Sequence, residues 1–249
     1  MSDLFWLSRA QLRRIERHFP RSHGVPRVDD LKVISGIMFV IRNGLRWRDA
    51  PKEYGPHKTL YNRFVRWSGL GVFNEIFASL AAEKVAPDTL MIDTTHLKAH
   101  RTAASLLKKG AFGCTKGGLN SKLHAVADGD GKPLMLMLTE GQMSDHTGAK
   151  ILYPALPPAK TLIADKGYDS DTFRDALAAK NIEPCIPPKS NRIVQLDYDK
   201  GLYKLRHRIE NMFGKLKDWR RIATRYDRCA HTFFSAICIA AIFIFYLNQ

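Results

Sequence analysis

A mixed α/β domain behind an all-helical segment is the fold class that this sequence predicts, on three observations. The texture changes at Ala86-Pro87-Asp88, from helical periodicity before it to short apolar runs after it. Two of those runs, Leu90-Met91-Ile92 and Thr161-Leu162-Ile163-Ala164, have the length and apolarity of buried strands. Between them, residues 122–127 and 133–138 flank Asp128-Gly129-Asp130-Gly131, a hairpin turn. Antiparallel hairpins followed by strand-helix-strand units mean a mixed sheet with helices on its faces, an order that builds RNase H-like folds among others.

The helical part is expected over 1–86 and the α/β part over 87–249. Ser8 is placed to cap a helix running to His18, with Leu12, Ile15 and Phe19 at helical spacing and Pro20 as its end. A second helix spans 29–43, with Ile34, Ile37, Met38 and Ile41 on one side and Gly44 as its stop. Trp47-Arg48-Asp49-Ala50-Pro51 breaks the pattern. A third helix, 59–67, carries Arg63 and Arg66 as exposed residues, and Gly69-Leu70-Gly71 separates it from a fourth, 72–84. Short helices joined by Gly/Pro turns fit a helix-turn-helix DNA-binding module, a pattern that any small helical bundle shares. Beyond the boundary, a helix is expected over 171–180, a strand over 182–186, and closing helices over 202–219 and 231–247. The apolar run 233–247 is shorter than the ~20 residues a membrane helix needs and reads as a buried core helix.

The charge narrows the partners. In 249 residues, 39 Lys and Arg stand against 24 Asp and Glu, a net charge of +15. A hydrophobic fraction of 45% excludes a disordered chain. The excess of bases calls for a polyanion, nucleic acid or an anionic membrane, and it is spread along the chain with no isolated basic tail. Cys114, Cys185, Cys229 and Cys238 form no CxxC pair, which excludes a zinc ribbon and a thioredoxin-type motif and suits reduced thiols of a cytoplasmic protein. The first residues lack the basic start and cleavage pattern of a signal peptide.

Two carboxylates stand where chemistry would want them. Asp93 follows Leu90-Met91-Ile92 and Asp165 follows Leu162-Ile163-Ala164, so each is expected at the end of a buried strand, where sites of α/β sheets gather. Either one alone is explained as the cap of the turn that follows; two together point to a site. The helix expected from Leu202 offers a third. At about 100° per residue from Glu210, Arg206 falls at about −40°, Lys217 at about −20° and Tyr203 at about +20°, while Met212, Leu216 and Trp219 face elsewhere. A solvated face with an Arg206–Glu210 pair is the ordinary reading of such a stripe. Three carboxylates on separate elements also suit Mg²⁺ or Mn²⁺, two of which clamp the oxygens of a displacement at phosphorus.

Tyr203-x2-Arg206-x3-Glu210-x6-Lys217 resembles, position for position, the Y-(2)-R-(3)-E-(6)-K signature of the IS4/IS5 group of bacterial insertion-sequence transposases. Met91-Ile92-Asp93-Thr94-Thr95, Gly117-Gly118-Leu119-Asn120-Ser121-Lys122-Leu123-His124 and Ala164-Asp165-Lys166-Gly167-Tyr168-Asp169 resemble the IS5 family's other motifs in the same order. Trp47-Arg48-Asp49, Tyr54-Gly55-Pro56-His57-Lys58-Thr59 and Tyr61-Asn62-Arg63-Phe64 resemble its N-terminal domain. The resemblance implies an RNase H-like domain in which Asp93, Asp165 and Glu210 are a DDE triad holding two Mg²⁺ ions, with Mn²⁺ as substitute. It implies that Tyr203, Arg206 and Lys217 contact transposon-end DNA. Lys166 beside the second Asp, His100 with Arg101, and Arg63 with Arg66 complete the expected DNA contacts. The partners it implies are double-stranded DNA, as terminal inverted repeats and target, and a second copy in a synaptic complex; no membrane is expected. Asp165 and Glu210 stand only 45 positions apart (210 − 165), so the β-strand insertion of some relatives is minimal here. Some relatives are made by ribosomal frameshifting, for which Lys108-Lys109 is the candidate slip site.

Two other readings differ in what they predict. A non-transposing nuclease of this fold would cut DNA without joining it, and a DNA-binding regulator would need neither acids nor metal. His96 and His100 have a metal-like spacing but lack the internal Glu of a zincin, and Lys116-Gly117-Gly118 is no P-loop. Trp47, Trp67 and Trp219 read as packing residues before base-stacking ones.

Overall fold

The computed structural model describes residues 4–21, 28–83, 86–103, 113–115 and 118–248; Lys108-Lys109 and Lys116 lie outside them. The chain divides into two compact units, one formed by 1–80, 99–110 and 216–249, the other by 81–98 and 111–215.

The first unit is helical. Helix α1 (Arg9–Ile15) opens with a capping box: the Ser8 hydroxyl accepts the Gln11 N–H and the Gln11 side chain accepts the Ser8 N–H. Helix α2 (Asp30–Asn43) is capped by Asp29, whose carboxylate accepts the Leu31 N–H, and ends on Gly44 at φ 72°, a left-handed stop that favours glycine. Its residues 33–41 are all buried, so it is a central helix, apolar nearly all round. Helix α3 (His57–Gly69) begins at the Pro56 cap, two residues before the expected start, and α4 (Val72–Ala82) follows.

The same unit takes up the end of the chain. A short α9 (Arg220–Ala223) and strand β7 (Thr224–Arg225) precede α10 (Ala230–Ile242), which continues as a π-helical turn to Leu247. Ala230–Leu247 is 18 residues, long and apolar enough to cross a membrane, and 78% of it is buried, as expected of a core helix. Gln11 and Arg14 donate to the carbonyls of Leu247 and Tyr246, satisfying the groups that a helix end leaves open.

The second unit is the α/β domain. Its strands are β1 (Thr89–Ala99), β2 (Gly113–Thr115), β3 (Gly118–Asp128), β4 (Pro133–Glu140), β5 (Thr161–Ile163) and β6 (Glu183–Cys185). They run β2-β3-β1-β5-β6, with β4 also paired to β3. The β1, β3 and β4 pairings are antiparallel, and β1-β5-β6 is parallel. Helices α5 (Asp145–Leu152) and α6 (Asp171–Ala179) pack Leu152, Phe173 and Leu177 with Ile92, Val126 and Leu162. This is the RNase H-like mixed sheet with flanking helices.

Three local expectations change. β1 does not stop at Asp93 but runs on to Ala99, because β-branched Thr94 and Thr95 keep the chain extended against β3. Helix α5 was not expected; Ser144 caps it by accepting the Thr147 N–H, within a segment too short and polar to show a helical period. The single helix expected over 202–219 is α7 (Lys200–Tyr203), a 3-10 turn (Lys204–Arg206) and α8 (His207–Lys217).

Candidate active site

Strand register brings the first two carboxylates together. In the parallel β1–β5 pair Met91 lies opposite Ile163, so two residues further along, Asp93 comes level with Asp165. Asp93 is therefore mid-strand, and only Asp165 stands past the end of its strand. Asp93 is buried: Oδ1 accepts the Thr94 N–H at 2.8 Å and Oδ2 accepts from Arg206 Nη2 at 2.9 Å. Asp165 Oδ1 accepts the Gly167 N–H at 2.8 Å, so it does cap the turn that follows, as the simpler reading held.

Arg206 joins the third carboxylate to this pair. Its Nη1 donates to Glu210 Oε1 at 2.6 Å while Nη2 holds Asp93. Its Nε is buried without a hydrogen-bond partner. Burial pushes the Asp93 carboxyl up to about 6; Asp165 and Glu210 push the same way, and Arg206 opposes them. Burial also raises the Tyr203 phenol, which stands in the field of Arg206, Asp165 and Asp93. Asp93, Asp165, Glu210, Tyr203 and Arg206 thus form one electrostatic cluster. The projection at 100° per residue does not hold from Tyr203 to Arg206, because that stretch is a 3-10 turn with about three residues per turn.

The remaining expected DNA contacts are not among these five residues. Lys166 is exposed in the turn beside Asp165. Lys217, at the end of α8, falls in the helical unit's share of the chain, and burial lowers its ammonium. His100 and Arg101 follow β1 and belong to the helical unit; the His100 ring lies 4.7 Å from that of Tyr226, and Arg101 is exposed. Arg63 is not the exposed residue expected: its side chain is 13% exposed, pairs with Asp30 at 2.7 Å and lies over Trp67 at 5.1 Å. Arg66, on the same helix, is exposed. Trp67 and Trp219 are buried, and Trp47 packs on Phe64.

A group behind Asp93 was not anticipated. Thr94 Oγ1 donates to Asp145 Oδ1 at 2.8 Å, and Lys122 Nζ donates to the same oxygen at 3.1 Å and to the Met143 carbonyl at 2.8 Å. Burial raises the Asp145 carboxyl, but the hydrogen bonds from Thr94 and Lys122 outweigh it and hold it below its usual range. The visible signal was Lys122 itself, a cation inside a buried strand, next to apolar Leu123, Ala125, Val126 and Ala127.

The donor set suits a hard cation. Asp93, Asp165 and Glu210 offer only carboxylate oxygens, the ligands of Mg²⁺ and Mn²⁺. Among the described residues no three His, Cys, Asp or Glu side chains are grouped closely enough to hold a metal as they stand. One positive charge, the Arg206 guanidinium, bridges Asp93 and Glu210.

Residues 85–244 match the family described as "Transposase DDE domain", and residues 7–77 match "Putative transposase of IS4/5 family". The "Putative transposase for insertion sequence element IS6501" of Brucella ovis is 35% identical over 127 residues, 51% of this chain and 98% of that protein. The corresponding protein for element IS402 of Burkholderia cepacia is 31% identical, over 44% of this chain and 55% of that protein. The uncharacterized protein y4sN of Sinorhizobium fredii is 37% identical over 32% of this chain, and the match spans 62% of its length. A solved structure, the Mos1 transposase paired-end complex with left transposon end, aligns over 82% of this chain and 83% of that one at 10% identity; its TM-score of 0.25 lends no weight to fold or function.

Proposed function

The chain belongs to the transposase DDE domain family, and on that footing we propose that it binds the terminal inverted repeats of its own insertion sequence, cleaves the element's ends and joins the freed 3′-OH to target DNA. The observation that carries this reading is the convergence of Asp93, Asp165 and Glu210, from three separate elements, around Arg206. We assign the three carboxylates to hold two Mg²⁺ ions, or Mn²⁺ in their place. When bound, such ions neutralise charge at phosphorus and activate the attacking oxygen.

The chain's own residues supply grip and orientation. The Arg206 fork suits two oxygens of one phosphate as well as it suits two carboxylates, so it orients the scissile group. Tyr203, whose phenol burial raises further above its usual range, donates a hydrogen bond to a phosphate oxygen. Lys166 and Lys217, with His100 and Arg101, neutralise flanking phosphates. In the division of labour we propose, 1–86 reads the repeat through Arg66, with Arg63 as its brace, and 87–249 cuts and joins. Two copies pair the element's ends in a synaptic complex on duplex DNA, in the bacterial cytoplasm at the nucleoid.

The test is direct. Asp93→Ala, Asp165→Ala and Glu210→Ala should each abolish Mg²⁺-dependent cleavage of a labelled end duplex while gel-shift binding of that duplex survives. Full activity in any one variant removes that residue from the triad. Joined products separate transposition from a nuclease that only cuts, and metal-independent activity would favour a DNA-binding regulator.

A further inference from the structure

We propose that Thr94, Asp145 and Lys122 form a positioning relay that holds the Asp93 carboxylate in the orientation needed to ligate a metal ion. The inference rests on the function proposed above. None of the three is placed as a ligand, and each acts through Asp93.

Alternation along β1 supplies the geometry. Asp93 and Thr94 are consecutive, so their side chains leave opposite faces of the sheet. Thr94 nevertheless touches both faces: its N–H donates to Asp93 Oδ1 and its hydroxyl donates to Asp145 Oδ1, each at 2.8 Å. Fixing that hydroxyl fixes the peptide whose N–H orients Asp93. The anchor is rigid in turn. Thr94 pairs with His124 and His96 with Lys122 across β1 and β3, so Lys122 stands on the same face as Thr94, two register positions further on. Its side chain, only 10% exposed, reaches Asp145 and the Met143 carbonyl.

Helix α5 brings Asp145 to this position by an unusually close approach. A Cβ on Gly148 would fall 2.2 Å from His124 Nδ1, so the first turn of α5 lies directly on β3. The relay also borders the second aspartate. Tyr168, three residues after Asp165, buries its hydroxyl in the field of Asp145, Asp93 and Asp165. Partners behind metal ligands orient them, and losing one typically costs about 10- to 100-fold in metal affinity.

Mn²⁺ affinity of the full chain, read by electron paramagnetic resonance without DNA, tests the relay independently of turnover. Thr94→Val keeps the shape and removes the hydroxyl, Thr94→Ser restores it, and Asp145→Asn weakens the acceptor. Thr94→Val and Asp145→Asn should bind Mn²⁺ about 10- to 100-fold more weakly, with Thr94→Ser close to the parent. Thermal melting of Thr94→Val should stay near the parent, which keeps the test valid if Asp145→Asn folds poorly. Parent-like Mn²⁺ binding by Thr94→Val, or equal losses in the Ser and Val variants, overturns the relay. Asp93→Asn separates the two levels. If it binds Mn²⁺ like the parent, the carboxylate site itself falls and the relay with it. If it loses Mn²⁺ while Thr94→Val does not, only the relay falls.

Discussion

At Asp93 burial and the Arg206 charge pull in opposite directions, and burial wins. A carboxyl raised in the folded state keeps its proton more readily folded than unfolded. Its contribution to stability is therefore complete below 3.8 and lost as pH rises through about 6. At about 1.36 kcal/mol per pKa unit, that displacement is worth at most roughly 3 kcal/mol. Asp93→Asn cannot ionise and escapes the loss. The metal-free variant should melt above the parent at pH 8, with the gap closing by pH 4; a constant gap across that range refutes the assignment. Arg206 works the other way. Arg206→Gln leaves Asp93 and Glu210 without their shared cation, so the metal-free protein should lose about 1–3 kcal/mol at pH 8. Millimolar Mn²⁺ should restore much of that melting temperature, and a loss insensitive to Mn²⁺ would show that Arg206 only packs. Asp93 and Asp165 were legible because each follows an apolar run. Glu210 was legible only through the spacing of Tyr203, Arg206 and Lys217, because nothing local marks a half-exposed glutamate on a helix.

Among the elements, α5 shows what periodicity misses. Its polar opening Ser144-Asp145-His146-Thr147-Gly148 carries few apolar positions, and its placement depends on a contact 24 residues back, Gly148 on His124. Gly148→Ala should destabilise the protein by about 1–3 kcal/mol in urea titration, since the added methyl overpacks β3. Combining it with His124→Ala should cost less than the sum of the two, a coupling that a double-mutant cycle measures. Strict additivity would mean that α5 does not press on β3 at that point. The break of the expected 202–219 helix at Lys204–Arg206 was equally hidden, because a 3-10 turn leaves no compositional mark. The β3–β4 hairpin was legible from Asp128-Gly129-Asp130-Gly131 alone. Gly131 takes φ 80° there, and a Cβ on it would meet the Arg208 carbonyl at 2.7 Å.

For the molecule as a whole, charge makes the prediction. Binding to end duplex should weaken steeply with salt, with log K falling by about 0.9 per decade for each phosphate neutralised. Arg66→Ala should reduce both affinity and that slope while leaving the melting temperature unchanged. Arg63→Ala should lower the melting temperature, because the structure uses Arg63 against Asp30 and Trp67. The opposite pattern would exchange their roles. The class of fold was readable from the change of texture at Ala86-Pro87-Asp88. The partnership of α10 with the first helices was not, because contacts across such a separation leave no local trace.

That partnership has a consequence for synthesis. The helical unit draws on residues 1–80 and again on 216–249, and Glu210 follows both aspartates in the chain. On the ribosome, at about 5–20 residues per second, α1 to α4 wait on the order of 10 s for α10 to emerge. For most of that interval, until Glu210 emerges, the nascent chain carries its bases without the last of the three carboxylates. On the proposed function, a copy cut short before Glu210 would touch the chromosome without being able to cut it.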